Sequence, residues 1–140
     1  MRFWDSSALI PLLIRESMSD DLRALLAADV HIAASFITSL EVGSALWRRD
    51  HNNELSSDEH AAADDAFEKL NQSWSEVADI FDAREVALEV ITRHALRSGD
   101  AIHLASALIA CAYDAASLPF VTLDIALASA ARAEGFTVLP

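Results

Sequence analysis

A clear strand signal lies at residues 119–124, which read Pro-Phe-Val-Thr-Leu-Asp. Phenylalanine, valine and threonine are typical of strands, and the aspartate separates them from an alanine-rich helix predicted over residues 125–134. Near the start of the chain, Arg2-Phe3-Trp4 is a second short strand, and it is also followed by an aspartate, Asp5. Each of these strands leads through an acid into a helix, which is the pattern of a parallel α/β unit.

The rest of the chain continues this alternation. Further strands are predicted at 31–33, within 74–81 and at 136–139, with helices at 7–15, 20–28, 38–49, 57–72, 82–94 and 100–113. We therefore predict an α/β fold, a three-layer α/β/α sandwich around a short, mostly parallel sheet. The length of 140 residues and the lack of a linker-like segment predict a single domain over residues 1–140.

Composition excludes several classes of protein. The chain has 10 basic and 22 acidic residues and a net charge of −12, which argues against binding nucleic acid through a broad basic face. An acidic pocket that works through a bound cation remains compatible with this charge. The single cysteine, Cys111, fits a reducing cytosol. No signal peptide or apolar run long enough for a membrane span is recognisable, so we expect a cytoplasmic protein without a membrane partner.

Four acids occupy positions that a parallel sheet brings to one edge. Asp5 and Asp124 follow strands, whereas Glu41 and Asp100 lie at the starts of predicted helices. Ligands of open α/β sheets bind at the carboxyl ends of the strands, and the following helices begin at that same edge. Carboxylates crowded there raise one another's pKa or require a cation. Mg²⁺ or Mn²⁺ prefers such oxygen ligands, while no His/Cys set has zinc spacing. Such an ion activates water and binds phosphate oxygens, which suits phosphodiester cleavage.

Each acid also has a purely structural explanation. Asp5 and Asp124 are placed to cap the helices that follow them, and Asp100 suits the positive end of a helix. Residues 38–41 read Thr-Ser-Leu-Glu and match the capping box, in which Glu41 bonds back to the backbone of the cap residue. Taken singly, each acid is better explained as a cap, so the argument for a metal site is collective.

Four segments of the chain resemble the PIN-domain ribonucleases, in particular the VapC-type toxins of bacterial toxin–antitoxin pairs. These segments are Phe3-Trp4-Asp5-Ser6-Ser7-Ala8, Thr38-Ser39-Leu40-Glu41-Val42, Arg97-Ser98-Gly99-Asp100-Ala101-Ile102-His103-Leu104-Ala105-Ser106-Ala107 and Phe120-Val121-Thr122-Leu123-Asp124. The resemblance implies a PIN-like fold and an Mg²⁺- or Mn²⁺-dependent endoribonuclease that cleaves RNA with metal-activated water. It places Asp5, Glu41, Asp100 and Asp124 as catalytic and metal-binding residues, with one or two ions.

The same resemblance implies supporting residues and partners. Ser7 and Thr122 would be hydroxyls that support the pocket. The partners would be a structured RNA such as tRNA or rRNA, an antitoxin that blocks the site, and a second copy of the chain in a homodimer. Arg48 and Arg49 lie two turns beyond Glu41 and are candidates for contacts with RNA phosphates, although surface arginines are commonly solvated or paired with acids.

Other residues and functions have competing interpretations. We interpret His103 as a histidine packed in an apolar helix rather than as part of the site, and Trp47 and Trp74 as core or dimer anchors rather than stacking platforms. An Mg²⁺-binding phospho-acceptor domain is an alternative function, but the lysine such a domain normally carries after a late strand is missing here. A catalytically silent interaction module, with every acid a cap, is another, and it would show no stabilisation by Mn²⁺.

Overall fold

The computed structural model describes residues 1–140 and contains one sheet with helices on both faces. The five strands are β1 (Arg2–Trp4), β2 (Ile32–Ser35), β3 (Ser75–Val77), β4 (Phe120–Val121) and β5 (Val138–Leu139). The seven helices are α1 (Ser6–Leu13), α2 (Ser19–Ala28), α3 (Thr38–His51), α4 (Ser57–Asn71), α5 (Ile80–His94), α6 (Ser98–Ala110) and α7 (Ile125–Ala133). A short 3₁₀ turn at Ala115–Ser117 precedes β4.

The strand order makes the end of β1 the natural place for a ligand. All pairs are parallel in the order β3-β2-β1-β4-β5, and Phe3 of β1 lies opposite Ala33 of β2 and Phe120 of β4. The first crossovers place β2 and then β3 on one side of β1. The chain then returns through α5 and α6 and adds β4 and β5 on the other side of β1. This reversal opens a crevice at the carboxyl ends of β1 and β4, the usual ligand site of such sheets.

Alternating strand residues supply two separate cores. Phe3 and Phe120 are fully buried on one face, where they pack with residues of α5, α6 and α7. Trp4 and Val121, their chain neighbours, are fully buried on the other face, with residues of α1 to α4. The predicted α/β/α sandwich is therefore confirmed, and the sheet is parallel throughout.

Three predicted strands are shorter than the sequence indicated, and one of them, predicted at 136–139, covers only Val138–Leu139. In the predicted strand within 74–81, pairing ends at Val77, because Asp79 accepts a hydrogen bond from the backbone of Asp82 and begins α5 at Ile80. The predicted strand at 120–123 ends at Val121, because the backbone N–H of Leu123 donates to the side chain of Ser7 instead of to the ladder.

None of the seven helices combines the length and the apolar character that crossing a bilayer requires.

Candidate active site

A cavity of about 440 Å³ opens at the carboxyl edge of the sheet, and its lining includes Asp5, Glu41, Asp100 and Asp124. These acids come from four separate places: the residue after β1, the first turns of α3 and α6, and the start of α7. The structure thus brings together all four acids singled out in the sequence. The parallel topology is the cause, because it places strand ends and helix starts on one side.

Asp5 is the most rigidly held of the four acids. Its side chain is almost fully buried, and Oδ2 accepts hydrogen bonds from the Thr122 hydroxyl at 2.9 Å and from the hydroxyl and backbone N–H of Ser7. The Ser7 hydroxyl also accepts from the backbone N–H of Leu123 at 2.9 Å, which ties the ends of β1 and β4 together. Asp5 does cap α1 through Oδ2, as the structural explanation predicted, while its Oδ1 lies 3.4 Å from His103 Nε2.

Glu41 does not make the predicted capping box. The residue before α3 is Ile37, which provides no side-chain cap, and the buried hydroxyl of Thr38 has no hydrogen-bond partner. Glu41 Oε2 instead accepts from the Ser6 hydroxyl at 2.6 Å and lies 2.7 Å from His103 Nε2. The capping interpretation is therefore wrong for Glu41, whose carboxylate is turned into the cavity by two side chains from other helices.

Gly99 makes room for this carboxylate. A Cβ built at Gly99 would lie 3.0 Å from Glu41 Oε1, closer than carbon and oxygen atoms ordinarily approach. The glycine in the first turn of α6 thus lets α6 and Glu41 come together without displacing the acid.

His103 belongs to the acid cluster, so its interpretation as only a packed histidine is wrong. Its side chain is 1% exposed, and Nε2 lies 2.7 Å from Glu41 Oε2 and 3.4 Å from Asp5 Oδ1. Burial lowers the pKa of His103, but the hydrogen bond to Glu41 and the charges of Asp5 and Glu41 outweigh it and hold the pKa above its usual value. Burial likewise raises the pKa of Glu41, yet the bond to His103 outweighs it, so that pKa is lowered. The sequence feature that could have indicated this role of His103 is its spacing of three residues from Asp100, which places the two side chains close together on the helix surface.

Asp100 and Asp124 form no ion pair within the chain. Burial raises the pKa of Asp100, and the nearby carboxylates of Asp124 and Asp5 raise it further. Asp124 uses Oδ1 to accept the backbone N–H of Leu127 at 2.7 Å, which caps α7 as predicted, while its Oδ2 has no hydrogen bond within the chain. Free carboxylate oxygens that repel one another are the usual setting of a bound cation.

The donor set fits a hard divalent cation. Ligand atoms of Asp5, Glu41 and His103 lie within 4.8 Å of one another, and Asp100 and Asp124 border the same cavity. Oxygen donors dominate this set, and Mg²⁺ and Mn²⁺ prefer such ligands. The two predicted supporting hydroxyls, Ser7 and Thr122, both hold Asp5 in place.

The two arginines proposed from the sequence for RNA contact differ in their surroundings. Arg48 is exposed, lines the acidic cavity and forms no ion pair, whereas Arg49 pairs with Glu16 and does not line that cavity. Trp74 is buried as predicted. Trp47 does not lie in the core, because it is 61% exposed, and its ring lies almost parallel to that of His51 with 4.8 Å between ring centres. Its other interpretation, as a dimer anchor, stays a prediction.

The family of the chain is shown by a match to the model of the PIN domain over residues 2–133. Among solved structures, PAE2754 from Pyrobaculum aerophilum superposes with a TM-score of 0.68 and 23% identity, covering 92% of this chain and 84% of that one. A toxin–antitoxin complex from Klebsiella pneumoniae superposes with a TM-score of 0.64 and 19% identity, covering 100% of this chain and 97% of that one. At these identities the two likenesses show a common fold.

No curated protein matches the chain significantly. PIN domains are generally nucleases and generally bind divalent metals, in keeping with the acidic cavity at the topological switch point. From the matched residues and the shared fold, it follows that this chain belongs to the PIN domain family.

Proposed function

We propose that this protein is a Mg²⁺- or Mn²⁺-dependent endoribonuclease and the VapC-type toxin of a toxin–antitoxin pair. The observation that carries the nuclease activity is the gathering of four carboxylates, from four distant segments, in one cavity of about 440 Å³. Membership of a family of nucleases supports the same activity. The toxin role is supported by the likeness to the Klebsiella pneumoniae toxin–antitoxin complex, which spans the whole of this chain.

Asp5, Glu41, Asp100 and Asp124 are the residues that would hold the ion. A divalent cation bound there supplies charge for the phosphate oxygens and lowers the pKa of water. Asp5 enters its position already fixed by Ser7 and Thr122, so little side-chain freedom is lost on binding. The less constrained carboxylates, Asp100 and Asp124, are available to complete the ligand set or to accept a proton from the attacking water.

His103 acts on this site through Glu41. Its Nε2–H donates to Glu41 Oε2, which keeps that carboxylate ionised and fixes its orientation. Ser6 holds the same oxygen from the opposite element, α1. We therefore assign His103 and Ser6 as positioning residues, comparable to the hydrogen-bond partners that orient ligands in other metal sites.

The proposed partners follow from the same assignment. RNA, such as tRNA or rRNA, is the substrate, and an antitoxin blocks the cavity in the resting pair. Because the cavity is lined by acids and by only one basic side chain, Arg48, we expect the antitoxin to insert an arginine or another cation. We also propose that two copies of the chain form a homodimer.

The test is cleavage of an RNA transcript with Mn²⁺ and with a chelator, by the wild type and by Asp100→Asn. Cleavage should require the metal and be abolished in Asp100→Asn, while the control variant Asp58→Asn, an exposed acid on α4, cleaves normally. Asp5→Asn should also be inactive. Metal-free Asp100→Asn should be at least as stable as the wild type, because repulsion among the acids is relieved.

Thermal unfolding separates the alternatives. Mn²⁺ at about 100 times its Kd should stabilise the wild type by about 2.7 kcal/mol, and Asp100→Asn much less. A catalytically silent module would show neither this stabilisation nor cleavage. A phospho-acceptor domain would show the stabilisation without cleavage and would take up phosphate from a small-molecule phosphodonor. Either result would overturn the nuclease proposal.

A further inference from the structure

A second depression adjoins the acidic cavity along α3. Its volume is about 380 Å³, and it shares the side chains of Ile10, Ala45 and Arg48 with the acidic cavity. We call this depression the side pocket, and it is lined by Ile10, Ala45, Arg48, Arg49, Asn52 and Glu54. Its volume lies in the range of about 300–1,000 Å³ that small-molecule sites have. A ligand that occupies the acidic cavity can therefore extend directly into the side pocket.

The side pocket combines an apolar lining with polar groups of two opposite kinds. Ala45 is buried and Ile10 is half-buried, so both present apolar surface. Arg48 forms no ion pair, and its forked N–H donors are available to a ligand. Glu54 forms no ion pair either, and its carboxylate accepts only one hydrogen bond, from the amide of Asn52 at 3.3 Å. A group that fills the side pocket must therefore offer both donors and acceptors on a largely apolar body.

The end of α3 holds the wall of the side pocket in place. Asn53 takes the left-handed conformation with φ 57°, and its N–H donates to the carbonyl of Asp50 at 2.9 Å. The N–H of Glu54 donates to the carbonyl of Arg49 at 2.9 Å, which completes the Schellman pattern of a helix end and fixes the backbone at Glu54. The side chain of Arg49 pairs with Glu16. Because the pocket is formed in the free protein, binding in it costs little backbone freedom.

Guanine is the nucleobase that matches these groups. It presents the donors N1–H and N2–H₂ side by side, which a carboxylate accepts with both oxygens, and its acceptors O6 and N7 match the forked donors of an arginine. Adenine and cytosine each offer a carboxylate one amino group beside ring acceptors, and uracil offers a single N–H between two carbonyls. Guanine alone therefore uses both Glu54 and Arg48 fully.

We infer that the side pocket binds the base of a nucleotide flanking the cleaved bond and selects guanine, with Glu54 accepting from N1–H and N2–H₂ and Arg48 donating to O6 and N7. This inference rests on the proposed ribonuclease function and adds a base preference to it. The acidic cavity by itself supplies no such preference, because contacts with metal and phosphate are the same for every nucleotide.

The first test locates the preferred base. An RNA transcript with a randomised unpaired segment is cleaved in Mn²⁺, and the product ends are sequenced. The wild type should show guanine enriched at one fixed position beside the cut, and so should the matched control Glu76→Gln, which changes an exposed glutamate of β3. Glu54→Gln should lower the preference for guanine over adenine in kcat/KM roughly 5- to 150-fold, as expected for one bidentate contact. Arg48→Lys keeps the charge but loses the fork, so it should lower the preference as well.

Altered bases then test each contact separately. Inosine lacks the N2 amino group of guanine, so replacing guanine with inosine should slow cleavage by the wild type but not by Glu54→Gln. The base 7-deazaguanine lacks N7, so it should slow the wild type but not Arg48→Lys. A purely structural effect of either variant would change cleavage of all three substrates alike.

A binding measurement gives a readout that does not need cleavage. Asp100→Asn is titrated with a fluorescein-labelled single-stranded RNA of about 12 nucleotides, with guanine or inosine at the selected position, and anisotropy is followed. The guanine form should bind more tightly than the inosine form, and adding Glu54→Gln should remove this difference, whereas adding Glu76→Gln should preserve it.

Three results would overturn the inference. One is cleavage without a base preference, and another is a preference for a base other than guanine. The third is a guanine preference that Glu54→Gln and Arg48→Lys leave unchanged. In each of these cases metal-dependent cleavage persists, so only the assignment of the side pocket is wrong. Absent cleavage together with absent Mn²⁺ stabilisation would instead refute the proposed function, and the inference with it.

Discussion

Gly99→Ala is expected to lower activity while leaving the fold intact or more stable. The new Cβ would lie 3.0 Å from Glu41 Oε1, so the carboxylate must retreat by a few tenths of an ångström. The atom that moves is the end of a flexible side chain, which makes the displacement cheap for the fold. The helix gains up to about 1 kcal/mol, since alanine restricts the unfolded chain more than glycine does.

The loss of activity follows from the displaced carboxylate. Glu41 Oε2 bonds to Ser6 at 2.6 Å and to His103 at 2.7 Å, and both bonds lengthen when the group retreats. A misplacement of 1 Å at a reacting centre costs about 100-fold in rate, so a few tenths of an ångström correspond to roughly 3- to 10-fold. The expected signature is a fall in kcat/KM together with an unchanged or higher free energy of unfolding.

The matched control is Gly43→Ala, two residues beyond Glu41 on α3. The nearest atom to a Cβ there is Phe67 Cε1 at 3.8 Å, an ordinary contact, so this variant should gain about 1 kcal/mol and keep wild-type activity. RNA cleavage rates, Mn²⁺ titration and urea denaturation of both variants provide the comparison. Wild-type cleavage by Gly99→Ala would refute the argument that Glu41 must sit in one place. A similar loss in Gly43→Ala would attribute the effect to α3 as a whole.

Two further predictions concern the hydrogen bonds around and away from the cavity. Thr122→Val removes the hydroxyl that donates to Asp5 at 2.9 Å. We expect denaturation to show a loss of about 1–3 kcal/mol in unfolding free energy, and calorimetric titration to show a loss of about 10-fold in Mn²⁺ affinity. Unchanged Mn²⁺ affinity would contradict the supporting role of Thr122. Burial raises the pKa of Glu134, but its hydrogen bonds to His94 and Arg93 outweigh this effect and lower the pKa below its usual value of 4.5. The stability that Glu134 contributes to the fold is therefore present above about pH 4.5 and is lost as the pH falls through the folded-state pKa. Glu134→Gln should therefore lose about 1 kcal/mol at pH 7 and show a flatter acid limb in denaturation against pH, and an identical acid limb in both proteins would count against it.

The convergence of the acids was predictable because it depends on topology alone. Asp5 and Asp124 follow strands that are recognisable from residue types, and parallel strands place their carboxyl ends on one side whatever the details of packing. Of the four segments that carry the family resemblance, residues 97–107 and 120–124 are the most specific. The fold class needed no more than these local signals.

The ends of the elements were less predictable because side chains from distant segments fix them. The strand at 120 is cut short by the hydroxyl of Ser7, which lies more than a hundred residues earlier in the chain. Local preference favoured a capping box at Thr38, yet Glu41 forms its bonds with Ser6 and His103 instead. No residue pattern within α3 indicates which neighbouring helices will supply the hydrogen-bond partners of Glu41.

The sequence by itself determined the parallel α/β architecture, the PIN resemblance and the edge of the sheet where the acids lie, because residue type and spacing govern these features. Only the tertiary structure decided that His103 contacts the acids, that Gly99 makes room for Glu41, and which arginines form no ion pair. Those outcomes depend on the rotation and separation of packed helices, and distances of a few ångströms between segments remote in the chain leave no periodic trace in the sequence.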